Sequence, residues 1–181
     1  MRVAVIGTGY VGLPTGIVLA ELGNDVVCVD KDSSKVEKLR NGVSPIYEPG
    51  VEELLRKGLQ SGHLSISDNV EHSVLSSEII FIAVGTPPGE DGTPDMTFVK
   101  AVAKEIAAAL AKDSRGDHRV IVNKSTVPVG SGDLVENIIR EAGVPEAQFD
   151  VVSNPEFLRE GTALWDTQNP DRVVIGAKKK E

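Results

Sequence analysis

The 181-residue chain has one cysteine, three histidines and no apolar run approaching the ~20 residues needed to span a bilayer. A single thiol, Cys28, excludes an intrachain disulfide, and its place in the apolar run VVCV reads as a small core hydrophobe. His63, His72 and His118 lie in unrelated polar stretches without metal-ligand spacing, so surface roles and no metal are expected. Basic charge is also short. The 19 Lys and Arg against 27 Asp and Glu give a formal charge of −8, which repels polyanions and argues against a general nucleic-acid surface. A bound dinucleotide stays compatible, because backbone amides hold phosphates whatever the net charge. The N-terminus enters a strand without a basic segment, apolar core and cleavage site, so a cytoplasmic chain with no membrane anchor is expected. No repeat of solenoid period occurs, and the only low-complexity tract is the terminal KKKE.

What is present is enough apolar content, 40%, to bury the core of one domain over residues 1–181. Short β-branched runs alternate with longer helical stretches, the rhythm of an α/β fold with a mostly parallel sheet. Strands are predicted at 3–6, 26–29, 79–84, 120–123, 150–153 and 173–175, and their continuous apolar character implies burial on both faces. Helices are predicted at 10–22, ended by Gly23; at 33–40, opened by Asp32 or Ser33; and at 49–60, 96–112 and 131–141, with Asp95 as the cap of the fourth. Two segments break the rhythm, GTPPGEDGTPD at 85–95 and SNPEFLREGTALWDTQNPDR at 153–172. Each directly follows a strand, where open α/β sheets bind their ligands.

The first strand, VAVI, runs into GTGYVG at Gly7, Thr8, Gly9, Tyr10, Val11 and Gly12, and a helix follows. In this context Gly7 permits a tight turn, Gly9 lets a pyrophosphate approach the backbone, and Gly12 lets helix and strand pack closely. The phosphates meet the unpaired amides and positive dipole end of the helix. Asp30, 23 positions after Gly7, suits the residue that accepts from the adenine ribose hydroxyls. Its charge disfavours the 2′-phosphate of NADP, so NAD is the expected cofactor, although Lys31 next door could soften that exclusion. A plainer alternative has Asp30 capping the next helix. The fold expected is Rossmann-like and doubly wound, with helices on both faces of the sheet.

GTGYVGL, FIAVGTPPGEDG at 81–92, NKSTVPVG at 123–130, SNPEFLREG at 153–161 and NPDRVVIG at 169–176 together resemble the NAD-binding domain of the UDP-glucose/GDP-mannose dehydrogenase family. The resemblance covers essentially the whole chain, and KSTVPVG with the EDG after GTPP is closer to the UDP-glucose 6-dehydrogenase branch. It implies oxidation of a nucleotide-sugar alcohol to a carboxylate by two hydride transfers to NAD, through an aldehyde and a cysteine thioester that water hydrolyses. Gly85, Thr86 and Pro87 resemble the loop that passes beside the cofactor, and Ser125 and Thr126 also contact it. Thr126 would position a water or the reacting carbonyl. Ser125 and Thr126 as simple helix caps are the alternative.

Glu156 matches the glutamate that activates water, a role for a partly buried carboxylate. Glu160 matches one near the nicotinamide. Were the segment helical, the two would share a face, with Phe157, Leu158 and Trp165 packing it down. The sugar contacts would come from Glu156, Phe157, Leu158, Arg159 and Glu160. Lys35 matches a basic position near the adenosine, or is a solvated surface lysine, and Arg172 is left unassigned. The resemblance also implies a second, UDP-sugar-binding domain and a central helix beyond this chain. These would supply the nucleophilic cysteine and a homodimer contact; Cys28, in the second strand at the adenosine side, cannot stand in. A stand-alone NAD(H)-binding module is the other class of reading, but such a module has no evident use for Thr126, Glu156 and Glu160.

Overall fold

The structure, a computed structural model, describes residues 1–90 and 92–178. In chain order its elements are β1 (Arg2–Ile6), α1 (Gly12–Glu21), β2 (Asp25–Val29), α2 (Ser33–Arg40), α3 (Val51–Ser61), β3 (Leu64–Ser67), α4 (Val70–Ser76) and β4 (Ile79–Ile82). There follow α5 (Thr97–Ala111), β5 (Arg119–Asn123), α6 (Ser131–Glu141), a 3-10 turn (Glu146–Gln148), β6 (Phe149–Ser153), α7 (Ala163–Gln168) and β7 (Gly176–Ala177). The sheet order is β3-β2-β1-β4-β5-β6-β7. Its first six strands are parallel, and β7 pairs antiparallel with β6 through Val152↔Ala177 and Ser153↔Gly176. The chain winds outward from β1 through β2 to β3, then returns to build β4 to β6 on the other side. This doubly wound order opens a crevice beyond the carboxyl ends of β1 and β4.

The alternation of β1 explains the two cores. Val3 and Val5 face a cluster with Leu13 and Ile17 of α1, Leu39 of α2 and Leu55 of α3. Ala4 and Ile6 face the opposite cluster, with Val74 of α4, Ile106 of α5 and Ile139 of α6. Both faces are covered, so the strands read as continuous apolar runs. Cys28 lies in the first cluster at 0% exposure, and burial pushes its thiol up to about 12. Since the thiolate is the reactive form, Cys28 is expected to stay unalkylated by iodoacetamide at pH 8 in the folded chain and to react once denatured. Native labelling at the denatured rate would contradict its burial.

Four expectations need correction. β3, α4 and the six-residue α7 were not foreseen: β3 presents only Leu64 and Ile66 inward on an edge strand, and α4 has seven residues, started by the Asn69 side chain accepting from the His72 amide at 2.9 Å. The strand expected at 173–175 is absent. Val173, Val174 and Ile175 are 66%, 42% and 68% exposed, and the chain meets β6 only at the next two residues, running the opposite way. A β-branched run records propensity, and here no neighbouring edge lay alongside it. Third, α1 begins at Gly12, which leaves Tyr10 and Val11 in the turn. Finally, α5 begins at Thr97, and Asp95 still serves its start by accepting from the Thr97 amide at 2.9 Å and hydroxyl at 2.6 Å. Among the described residues no helix is long and apolar enough to cross a membrane.

Candidate active site

The turn after β1 is shaped by two close approaches. Gly7 has φ +104°, and a Cβ there would stand 2.5 Å from the Ala83 carbonyl oxygen; one on Gly12 would stand 1.9 Å from the carbonyl oxygen of Gly7. At Gly9 nothing lies within 4 Å of a built Cβ, so that flank of the turn is open to a ligand. α1 has neither a side-chain cap nor an acidic residue in its first turn, which leaves its positive end for an anion. The amides of Gly7 and Ala83 donate to Val29 and Ile6 respectively, both at 2.8 Å, and pin this turn to the β2 and β4 ends.

Asp30 stands where β2 ends. Its Oδ2 accepts from the Thr8 hydroxyl at 2.5 Å and the Thr8 amide at 3.1 Å, and its Oδ1 accepts from the Asp32 amide at 3.0 Å. The cap of α2 is Asp32 instead, accepting from Ser34 and Lys35, so the capping alternative for Asp30 does not hold. Burial lifts the Asp30 carboxyl, but the Thr8 hydroxyl, the Asp32 and Thr8 amides and Lys35 together hold it below the usual aspartate range. The Lys35 Nζ lies 3.9 Å from Oδ2. These groups line a cleft of about 600 Å³ formed by residues 6–9, 29–32, Lys35 and 83–85, with Phe98, Ala101 and Val102 of α5 as its far wall. Turn, bare helix end, carboxylate and apolar wall suit a dinucleotide with a ribose at the β2 end.

A second cavity of about 550 Å³ lies beyond β5 and β6, lined by Lys124, residues 154–159, Trp165 and Arg172 among others. Between the two, the Thr86 hydroxyl donates to the Thr126 carbonyl at 2.7 Å and ties the loops after β4 and β5 together. Ser125 is buried and its hydroxyl donates to Val84 at 2.7 Å, so this side chain braces the same junction. α6 starts at Ser131 from Gly130, so neither Ser125 nor Thr126 is a cap. The Thr126 hydroxyl donates to Glu156 Oε1 at 2.7 Å, and the Leu158 amide donates to Oε2 at 2.9 Å. One carboxylate is thereby oriented from both sides with lone pairs to spare.

Residues 154–159 are not helical, so Glu156 and Glu160 share no helix face. Local hydrogen bonding of the Glu156 side chain to the backbone two residues on favours this turn over a helix. Phe157 and Trp165 are exposed rather than packed down, at 55% and 64%. Arg172 lies 5.9 Å over the Phe157 ring. Glu160 is exposed, and neither cavity counts it among its lining residues. The Arg159 guanidinium is already paired with Asp166, at 2.7 and 3.1 Å, and that contact foremost pushes Asp166 down to about 2.

Two participants were missed. Lys124 donates to Asn154 Oδ1 at 3.2 Å inside the second cavity, and burial holds its ammonium below the usual lysine range despite the pull of Glu156. A lysine directly after an apolar strand and before Ser-Thr was the available signal. The other is Glu48, 6% exposed, whose Oε2 accepts from the Ala163 amide at 3.0 Å while Oε1 accepts from the Gly161 amide. It clamps the end of the Glu156–Glu160 loop to the α1–α3 side. Glu48→Ala strands two amides and is expected to cost about 2–4 kcal/mol, a melting-point loss of roughly 5–12 °C. Glu48→Gln, keeping one acceptor, should lose less in the same thermal scan; equal losses would deny the clamp. Among the described residues no group of three or more His, Cys, Asp or Glu could hold a metal.

Comparison with known proteins agrees with this fold. The whole chain, residues 1–181, matches the model of the UDP-glucose/GDP-mannose dehydrogenase family, NAD binding domain. It is 52% identical over 176 residues to the UDP-glucose 6-dehydrogenase TuaD of Bacillus subtilis, covering 97% of this chain and 37% of that protein. It is 51% identical over 177 residues to a UDP-glucose 6-dehydrogenase of Rhizobium meliloti, covering 97% of this chain and 39% of the relative. The chain thus spans about two-fifths of the length of these relatives. Among solved structures, a ternary complex of GDP-mannose dehydrogenase from Pseudomonas aeruginosa superposes with TM-score 0.95 at 38% identity, over 99% of this chain and 42% of that one. A UDP-glucose dehydrogenase from Pyrobaculum islandicum does so with TM-score 0.91 at 44% identity, over 98% and 40%. The chain belongs to the UDP-glucose/GDP-mannose dehydrogenase family, as its NAD binding domain.

Proposed function

We propose that this domain serves a cytoplasmic UDP-glucose 6-dehydrogenase, which oxidises UDP-glucose to UDP-glucuronate, with NAD laid across the β1–β4 crevice and the sugar in the second cavity. The observation that carries the reading is the Thr126–Glu156 hydrogen bond of 2.7 Å, just across the Thr86–Thr126 tie from the cofactor cleft. Bound NAD supplies the hydride acceptor. With Gly7 and Thr8 shaping the turn, their amides bound to Val29 and Asp30, the amides of residues 9–12 would cradle its pyrophosphate; Asp30 would take the adenine ribose hydroxyls with Lys35 alongside, and Gly85, Thr86 and Pro87 would flank its path toward the β5 loop. Ser125 braces that loop and Thr126 reaches toward the reacting centre, whereas Glu160, exposed and outside both cavities, takes no part in this reading. Glu156, held by Thr126 and the Leu158 amide, accepts a proton from water and so makes it a nucleophile toward an acyl carbon. Phe157 and Leu158 line the sugar site. Arg159, its amide and guanidinium both engaged by Asp166, holds the shape of this wall.

An acyl-enzyme step needs an accessible thiol, and the one cysteine here is fully buried in β2. The 181-residue chain is therefore expected to bind NADH saturably yet form no NADH from NAD and UDP-glucose. Fluorescence titration tests the first part and absorbance at the NADH band the second. Sustained NADH formation would overturn this division of labour.

A further inference from the structure

NADP differs from NAD by one phosphate on the adenosine ribose, so the charges around Asp30 decide whether it is admitted. Two ammonium groups stand at this corner of the cleft. Lys35 is drawn to Asp30, and Lys31, the residue after Asp30, is ion-paired through Nζ to Glu105 Oε1. Glu105 belongs to α5, three and four residues beyond Val102 and Ala101, which form the cleft wall, so the helix presents all three toward the same side. Lys31 also borders an adjoining hollow lined by Asp68, Glu71 and Glu105; Asp68 and Glu71 pair with Arg40 and Lys112, which leaves Glu105 as the partner of Lys31.

We propose that Glu105 is a specificity-determining residue: by engaging Lys31, as Asp30 engages Lys35, it leaves neither neighbouring cation free to receive the 2′-phosphate, and so extends the exclusion of NADP begun by Asp30. The inference rests on the cofactor reading above. A phosphate carrying about −1.5 to −2 charge at neutral pH needs a free cation, and every cation at this corner is already engaged by a carboxylate. Discrimination of this kind works by the repulsive element as much as by contacts to the favoured ligand.

The test is the ratio of NADPH to NADH dissociation constants, measured by fluorescence titration at low salt for the unmodified chain, Glu105→Gln and Glu105→Gln with Lys31→Ala. Glutamine keeps the helix propensity of the position. The single variant is expected to shift the ratio toward NADPH by roughly fivefold, the upper range for an exposed charge pair, and high salt should shrink the shift. Adding Lys31→Ala should abolish it. An unchanged ratio in Glu105→Gln would overturn the proposal, as would a shift that survives loss of Lys31. Failure of the unmodified chain to bind NADH would overturn the cofactor reading itself, and this inference with it.

Discussion

Gly12→Ala is expected to abolish measurable NAD binding and to destabilise the fold. Turns of this type often accept alanine as the third small residue. Here the added methyl would stand 1.9 Å from the Gly7 carbonyl oxygen and 3.1 Å from the Ala83 Cβ. Both obstacles are fixed, because the Gly7 amide is bound to Val29 and the Ala83 amide to Ile6. The helix must then back away from the strand, at an overpacking cost of about 3 kcal/mol, or roughly 6–12 °C in melting temperature. Moving the helix end also withdraws the amides that face the phosphates, so affinity should fall more than a hundredfold. Thermal unfolding and an NADH titration check both halves; native values in either would show that the turn can yield to a methyl group and would contradict the close packing at Gly12.

The second large effect concerns Asp30. Asp30→Ala is expected to weaken NAD binding by about 1–3 kcal/mol, or roughly 5- to 150-fold, since hydrogen bonds to a charged group are lost. The pH dependence has a definite sign. A carboxyl held below its ordinary value is fully ionised above the unfolded aspartate range near ~4, and its contribution is lost only as pH falls through the lower folded value. Between pH 5 and 8 the Asp30 contribution to binding and stability should therefore stay flat, and it should decline only in stronger acid. Calorimetry across that range decides it. Unchanged affinity in Asp30→Ala would remove the residue from the site.

Much of this was legible in the sequence because the decisive features are local. Gly7, Gly9 and Gly12 are spaced within one turn, and Asp30 announces itself by ending an apolar strand. The Thr126–Glu156 pair was reached only through family resemblance, since two residues 30 positions apart give no spacing signal of their contact. Glu48 was invisible for the same reason in stronger form, its partners Gly161 and Ala163 lying 113 and 115 positions away. β3 escaped because an edge strand buries few side chains, and 173–175 was overread because β-branched propensity is only redeemed by a partner edge. The helix imagined through Glu156 and Glu160 lost to a competing local interaction, the Glu156 carboxylate bonding to the Leu158 amide.

The cofactor's placement can be tested residue by residue. Amide chemical shifts of the isotopically labelled chain, titrated with NAD, are expected to move at residues 6–12, 29–32 and 83–86 and on the cleft face of α5, with smaller changes at Thr126 across the loop tie. Saturating shifts confined to residues 154–173, or no shifts at all, would contradict an NAD site at the β1–β4 crevice.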